Sequence, residues 1–556
     1  MNAKFLPAAA LSRLSIVFLA ALPCAAEVSF EDGIKAHLGK LTNEQLPGMA
    51  VLVARDGKIA FQGGFGFADL EKKTPVTVET KFRIGSVAKQ FTAAAILRLA
   101  DDGKLALDDK LEKFFPDFPR GGEITLHHLL THTSGIHSYT SKPEFMARVT
   151  KPIAPAELIA WFRDDPPDFA PGAGFFYNNS AYFLAGEIVA KVSGKSLDAF
   201  LRETFFEPLG MKDTGIFVNS APPPGIARGY AVADGKATPA LEWDMSWAGG
   251  AGALYSTVGD LFRWHEALFG GKVVKPDSFK VMTTPVKLPP GVDGMTGYGC
   301  GLLMAPIARL ASVSHGGGLH GWTSDLVRMT EQRCTIVALA NASPCVTGRD
   351  PAGVARTIAG KFLAAEIAKL PPLKEDPSVD KKSYAAIAGR YDYQGGVLTV
   401  TVEGDRLHAQ LTGQEKFEIF PSAPDQFFWK VTDAQVAFVR SHKREVVAAR
   451  HTQGGVTFTA PRLTAPEVKL TAAELDAILG KYQYGPGVVL TVTRDGDSVF
   501  AQHTGQPKFS IFPKSATEYE WRVVPASVKF SKDEDGRVNK AIHTQNGATF
   551  EAPKIK

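Results

Sequence analysis

Ser86 and Lys89 stand three residues apart in Phe82-Arg83-Ile84-Gly85-Ser86-Val87-Ala88-Lys89. A helix starting here would put both side chains on one face, within hydrogen-bond reach. A serine hydroxyl is a weak nucleophile at neutral pH and needs a base beside it. A lysine can be that base only when its pKa is lowered, by burial or by nearby positive potential. The following stretch, Phe91 to Ala100, is helix-forming and apolar nearly all round. It reads as a buried helix whose positive N-terminal end lies at the pair. Ser-x-x-Lys alone recurs by chance in many chains. Two further groups give it weight. One is Phe176-Tyr177-Asn178-Asn179, a Tyr-x-Asn ahead of the helical stretch Ala181 to Val192. The other is Ser314-His315-Gly316-Gly317-Gly318, whose glycines let a ligand lie close to a strand.

Other chemistries compete for the same residues. His127, His128, His132 and His137 cluster in sequence, and His128 and His132 are four apart as in zinc-binding helices. No glutamate follows the first of them, which weakens a zinc-helix reading and leaves a structural role as the alternative. No G-x-S-x-G elbow is present, which excludes the α/β-hydrolase arrangement. Tyr177 and His315 could each be ordinary packed residues; their places in Tyr-x-Asn and before three glycines argue for a site.

The elements that must position these groups are legible between about 27 and 368. Met49 to Ala54 reads as a strand, Arg55-Asp56-Gly57-Lys58 as a tight turn and Ile59 to Gln62 as the returning strand. Asp325 to Met329 and Thr335 to Ala340 read as a second pair. Strands at both ends with helices between predict an α+β domain, an antiparallel sheet flanked by helices that joins its own termini. A Pro-rich linker follows at 369–380. Beyond it the chain repeats itself with a period of about 92 residues. Gly389-Arg390-Tyr391-Asp392-Tyr393 recurs as Gly480-Lys481-Tyr482-Gln483-Tyr484, and His451-Thr452-Gln453 as His543-Thr544-Gln545. Alternating strands such as Val397 to Val402 and Val488 to Thr493 predict two lipocalin-like, up-and-down barrels, at 381–463 and 464–556. The shared His-Thr-Gln reads as a common packing contact.

The order S-x-x-K, Y-x-N, H-x-G resembles the class C β-lactamase superfamily of penicillin-recognising serine hydrolases, which includes DD-peptidases, esterases and D-aminopeptidases. Leu129-Leu130-Thr131-His132-Thr133-Ser134-Gly135-Ile136, Pro208-Leu209-Gly210-Met211 and Ser256-Thr257-Val258-Gly259-Asp260-Leu261 support it. The resemblance implies a β-lactamase-like catalytic domain over 27–368. It implies Ser86 as nucleophile, with Lys89 and Tyr177 sharing the proton traffic. Asn179 would orient Lys89 and the substrate amide, with His315 and Gly317 at the substrate. The backbone N–H groups of Ser86 and Gly318 would form the oxyanion hole. No metal or organic cofactor is needed for that cycle.

His315 stands where the family's K-T-G strand has a lysine. A lysine offers a fixed positive charge to a substrate carboxylate; a histidine is mostly neutral at pH 7. That weakens the case for a β-lactamase or a DD-carboxypeptidase. The H-x-G variant and the two following barrels resemble the D-aminopeptidases. The implied activity is a peptidase on short or D-amino-acid-containing peptides, with a carboxylesterase as the alternative. A non-enzymatic binding protein is a third reading, opposed by the intact Ser86, Lys89 and Tyr177. The barrels would wall or cover the cleft, or mediate homo-oligomers.

Composition bounds the partners. A formal charge of +4 without a basic block gives no nucleic-acid footprint. Lys4 and Arg13 precede the apolar run Leu14 to Leu22, and Cys24, Ala25 and Ala26 follow. This is the layout of a signal peptide at 1–26, cleaved after Ala26, and implies a periplasmic or secreted protein. The run is too short for a stable membrane anchor, and Pro23 before Cys24 argues against a lipoprotein. Cys300, Cys334 and Cys345 remain. Cys334 and Cys345 are the nearest candidates for a disulfide, a question sequence leaves open.

Overall fold

Six consecutive apolar residues, Met49 to Ala54, make a strand that must be covered on both faces. In the computed structural model they form β1 (Met49–Arg55), buried along all but its last residue. The structure describes residues 30–41 and 46–555. Short breaks fall at 234–235, 289–296, 344, 346–349, 394–395, 413, 432–433, 442–443, 454–455, 465–467, 486–487, 504–508, 522–525 and 546–547. The expected leader, 1–26, lies outside the described residues.

Asp56 and Gly57, both at positive φ, turn β1 into β2 (Lys58–Phe65), the two-residue hairpin expected of this sequence. Four later strands complete the sheet: β3 (Leu303–Met304), β4 (Ser312–Leu319), β5 (Trp322–Met329) and β6 (Cys334–Ala340). Their order is β3-β4-β5-β6-β1-β2, and every pairing is antiparallel. Met49 pairs with Ala340, so the sheet joins the two ends of the domain as predicted.

Strand alternation splits the core in two. Ala50, Leu52 and Ala54 face the buried helix α2 (Ala88–Asp101), which carries Phe91, Ile96 and Leu99. Met49, Val51 and Val53 face the other way, into a layer with Ile34 and Leu38 of α1 (Phe30–Leu41). The same layer takes Val354, Ala355 and Ile358 of a late helix, Pro351–Phe362. Between α2 and that late helix lies α3 (Asn179–Ser193), packed on the α2 side. Among the described residues no helix is long and apolar enough to cross a membrane.

The two repeats are two closed eight-stranded barrels with consecutive strands paired. The first runs from Gly389–Asp392 to Val456–Leu463, the second from Gly480–Gly485 to Ala548–Ile555. Each has its own core. The repeated tyrosines have one job: Tyr391 and Tyr482 donate their hydroxyls to the carbonyls of Ile387 and Ile478. The repeated histidines are packing contacts, as expected. His451 lies against Tyr393 and Trp429, and His543 against Tyr484 and Trp521.

Cys300, Cys334 and Cys345 are all free thiols. Cys334 opens β6 and Cys345 lies beyond its far end. At ~3.3 Å per residue the strand between them is far longer than a disulfide can span.

Candidate active site

The turn that carries Ser86 is held against β4 by glycines on both sides. The short strand Phe82–Arg83 passes through Ile84 into a 3-10 turn, Gly85–Val87, and then into α2. Gly85 has φ +49, and a Cβ there would come within 2.9 Å of the Gly318 nitrogen. A Cβ on Gly317 would lie 2.0 Å from the Ile84 carbonyl oxygen. Ser324 of β5 donates to that same carbonyl at 2.8 Å. Gly318 differs, because a Cβ there would meet nothing within 4 Å. It faces open space.

Register gives Gly318 its orientation. His320 and Gly321 form the two-residue turn that closes β4 onto β5 at the pair Leu319 and Trp322. Such a closing pair is hydrogen-bonded, and alternation makes the next pair, Gly318 with Thr323, non-hydrogen-bonded. The Gly318 N–H therefore points away from β5, towards the Ser86 turn. With the Ser86 N–H at the start of a helical turn, two backbone donors can converge on one oxygen.

Lys89 is fully buried one turn along α2. Its Nζ lies 2.8 Å from Asn179 Oδ1, 2.8 Å from the Ala251 carbonyl oxygen and 3.1 Å from Ser86 Oγ. Burial holds its pKa well below the ordinary lysine value. A neutral amine has two N–H bonds and one lone pair. Asn179 and Ala251 supply two acceptors for the N–H bonds, which leaves the lone pair for the serine proton.

Asn179 is placed by the start of α3. Asn178 caps the helix, its Oδ1 accepting the Ala181 N–H at 2.9 Å. Asn179 donates through Nδ2 to Thr140 Oγ1 at 3.0 Å, and Ser138 Oγ accepts its backbone N–H at 3.2 Å. Just before the cap, Tyr177 is half-buried, and its hydroxyl is buried with no hydrogen-bond partner of good geometry among the described residues. Burial pushes its phenol pKa up, and the neighbouring Ser86 hydroxyl moderates that rise. The Lys89 ammonium position lies 4.9 Å from the Tyr177 ring centre.

His315 occupies the expected strand but sits one layer behind the cleft. Its Nδ1 donates to the Gly316 carbonyl at 2.6 Å, and its Nε2 accepts from the Tyr298 hydroxyl at 2.9 Å. These roles are those of a neutral ring, which burial favours. Burial, with Lys89 close by, drives its pKa down to about 3. Gly317 is partly exposed, and its Cα packs on Ile84, on the side where a side chain would stand.

Ser86, Asn179 and Gly318 open onto a cleft of about 380 Å³. Phe145, Met146 and Trp243 are among its lining residues, with His320 against Trp243 at a ring separation of 5.2 Å. Lys142 reaches the same cleft but is paired with Asp165 at 2.5 Å. All the lining residues belong to the catalytic domain.

Three of the four clustered histidines have separate partners, while His127 lies beside His128. His128 Nδ1 accepts the Thr125 N–H at 3.2 Å, His137 pairs with Asp168 at 2.8 Å, and His132 packs against Tyr177. Sequence reasoning missed Thr140, Ala251, Trp243 and Tyr298. These reach the site only through long-range packing, and no local spacing signals them.

A buried lysine on a serine, an amide holding that lysine, and two strand glycines define a serine hydrolase of the Ser-x-x-Lys type. The β-lactamase family model matches residues 32–359, more than half of the 556, and the chain belongs to that family. A second model, described as a domain of unknown function, matches 373–460, where the first barrel lies. Penicillin-binding protein 4* of Bacillus subtilis (strain 168) is 29% identical over 405 residues, 70% of this chain and 89% of that protein. The D-aminopeptidase of Brucella anthropi is 27% identical over 308 residues, 54% of this chain and 57% of that protein. Among solved structures, D-amino acid amidase from Ochrobactrum anthropi SV3, complexed with D-phenylalanine, aligns at TM-score 0.53 and 27% identity. That match covers 61% of this chain and 99% of the amidase. An octameric penicillin-binding protein homologue from Pyrococcus abyssi aligns at TM-score 0.52 and 25% identity, over 86% of this chain and 98% of that one.

Proposed function

We propose that the protein hydrolyses short amides and peptides whose acyl group carries an apolar, preferably aromatic, side chain, with D-amino-acid substrates accepted, through an acyl-enzyme on Ser86. Lys89, as the neutral amine, takes the Ser86 proton while Oγ attacks the carbonyl carbon. The developing oxyanion lies between the N–H groups of Ser86 and Gly318. As the tetrahedral adduct collapses, the Tyr177 hydroxyl gives its proton to the leaving nitrogen and takes one back from the Lys89 ammonium. Water then repeats the sequence on the acyl-enzyme, and Ser86 recovers its proton.

The single observation that carries the substrate reading is the cleft itself. The nucleophile shares its cleft with Phe145, Met146 and Trp243, while the strand residue that would offer a cation is a buried neutral histidine. The similarity to a D-amino acid amidase complexed with D-phenylalanine supports it. Rates on D- and L-phenylalanine amide, a p-nitrophenyl ester, a cephalosporin and a D-alanyl-D-alanine peptide test it. Phenylalanine amide should be hydrolysed with kcat/KM at least tenfold above the two carboxylate-bearing substrates. A cephalosporin turned over faster than the amide would overturn the reading, and turnover of the ester alone would make the protein a carboxylesterase.

A further inference from the structure

His132 grips the peptide on both sides of Tyr177. Its carbonyl oxygen accepts the Phe176 N–H at 3.0 Å, and its side-chain Nδ1 accepts the Asn178 N–H at 3.0 Å. The imidazole lies under the tyrosine itself, with ring centres 4.3 Å apart, and is 1% exposed. Tyr298 and Tyr182 close the cage, at 4.6 and 5.1 Å. The charged and titratable groups facing this ring are Lys89 and His315, with the phenols of Tyr177, Tyr182 and Tyr298.

We infer that His132 is a positioning residue for Tyr177, and that what it contributes is the Nδ1 acceptor rather than its bulk. A ring accepting at Nδ1 carries its proton on Nε2. That Nε2–H is buried with no hydrogen-bond partner among the described residues. Filling an aromatic cage needs no such buried polar atom; a leucine or phenylalanine would fill it without one. The backbone points the same way. His132 has φ +60, a conformation open to Asn and His but poor for larger apolar residues. One residue thus holds the amides of Phe176 and Asn178, so the tyrosine between them has little freedom to move away from Ser86. The segment is anchored further by Gly172, which donates to the Thr133 carbonyl at 2.8 Å.

This inference rests on the reading of Tyr177 as the proton donor to the leaving group, and its test separates the two. In His132→Asn the side-chain oxygen stands at the same bond distance from the backbone as Nδ1, and asparagine tolerates positive φ. In His132→Leu the acceptor is lost and more of the volume is kept. Steady-state kinetics on phenylalanine amide and on its p-nitrophenyl ester, whose leaving group departs without a proton, give the readout. The leucine variant should lose about a hundredfold in kcat on the amide, the scale of a ~1 Å misplacement, with KM within about twofold. It should lose less than tenfold on the ester. The asparagine variant should recover at least tenfold of the amide rate. Loss of cage volume alone predicts the opposite order, because asparagine empties more of the cage than leucine does. Strain of leucine at φ +60 would slow amide and ester alike, so the fall in the leucine variant's amide-to-ester ratio is the readout that strain does not move. Asparagine equal to or worse than leucine would overturn the inference, as would an asparagine variant that fails to fold. If only the leucine variant fails to fold, the asparagine variant's amide-to-ester rate ratio decides: unchanged supports the inference, a tenfold fall overturns it. Tyr177→Phe is the control. Full amide turnover in Tyr177→Phe sinks the reading of Tyr177, whereas loss there with none in His132→Leu sinks the positioning role alone.

Discussion

At Lys89 the environment decides the chemistry. An ammonium with no carboxylate beside it among the described residues, fully buried and touching two neutral acceptors, is disfavoured against the free amine. Activity that needs the amine should therefore rise with pH through a lysine pKa well below the ordinary value, then hold a plateau. A kcat/KM profile for wild type that rises only near pH 10 would contradict this. Lys89→Met, which keeps the length and loses the base, should drop kcat by about three orders of magnitude, within the range a positioned general base contributes. Three buried imidazoles make a second, independent prediction. His265 and His315 have pKa values lowered to about 3, and His132 is lowered well below the ordinary value. In the unfolded chain they bind protons below about pH 6.5, where the folded chain still excludes them. Their contribution to stability is present above that pH and is lost as pH falls from there towards 3. Chemical denaturation at pH 7.5 and 5.5 should give a lower midpoint at 5.5; an equal or higher one would contradict the burial.

At the scale of elements, the site depends on how closely the Ser86 turn docks on β4. Gly317→Ala puts a methyl 2.0 Å from the Ile84 carbonyl, and should cost about 1–3 kcal/mol as overpacking while displacing the nucleophile. Gly318→Ala meets open space, so the chain should fold as before and lose rate only where the methyl crowds substrate. Melting temperatures and kcat for the pair check this; equal destabilisation by both would refute the docking. This contrast marks the limit of what sequence could convey. Ser86 and Lys89 were legible because helical spacing is local, and Tyr177 and Asn179 because they lead directly into a helix. His315 was legible as a strand position, but not its direction. That direction follows from the hairpin at His320-Gly321 and from Tyr298, which only the fold brings to it. Likewise the role of His132 depends on Phe176 and Asn178, more than forty residues away. The two barrels could be read whole, since repetition and alternation are both written along the chain.

Across the whole molecule, the first barrel meets the helix Pro351–Phe362 through its last strand, and Arg309 donates to the Pro371 carbonyl of the linker. That helix covers the face of the sheet opposite α2, while the described residues that line the cleft run from 85 to 343. A barrel wall over the cleft, expected from domain order, does not follow from these contacts. A chain ending at residue 380 should keep its ratio of amide to ester turnover within about twofold, and a larger change would restore the wall. The expectation of a homo-oligomer through the barrels is tested by light scattering on both chains. The central claim is an acyl-enzyme on Ser86, and mass spectrometry reads it directly. Protein quenched with acid during turnover of a phenylalanine p-nitrophenyl ester, then digested with trypsin, should carry the acyl mass on the peptide spanning 84–89. The Ser86→Ala chain should carry none and turn nothing over. An adduct on any other peptide, or turnover surviving in Ser86→Ala, would contradict the account.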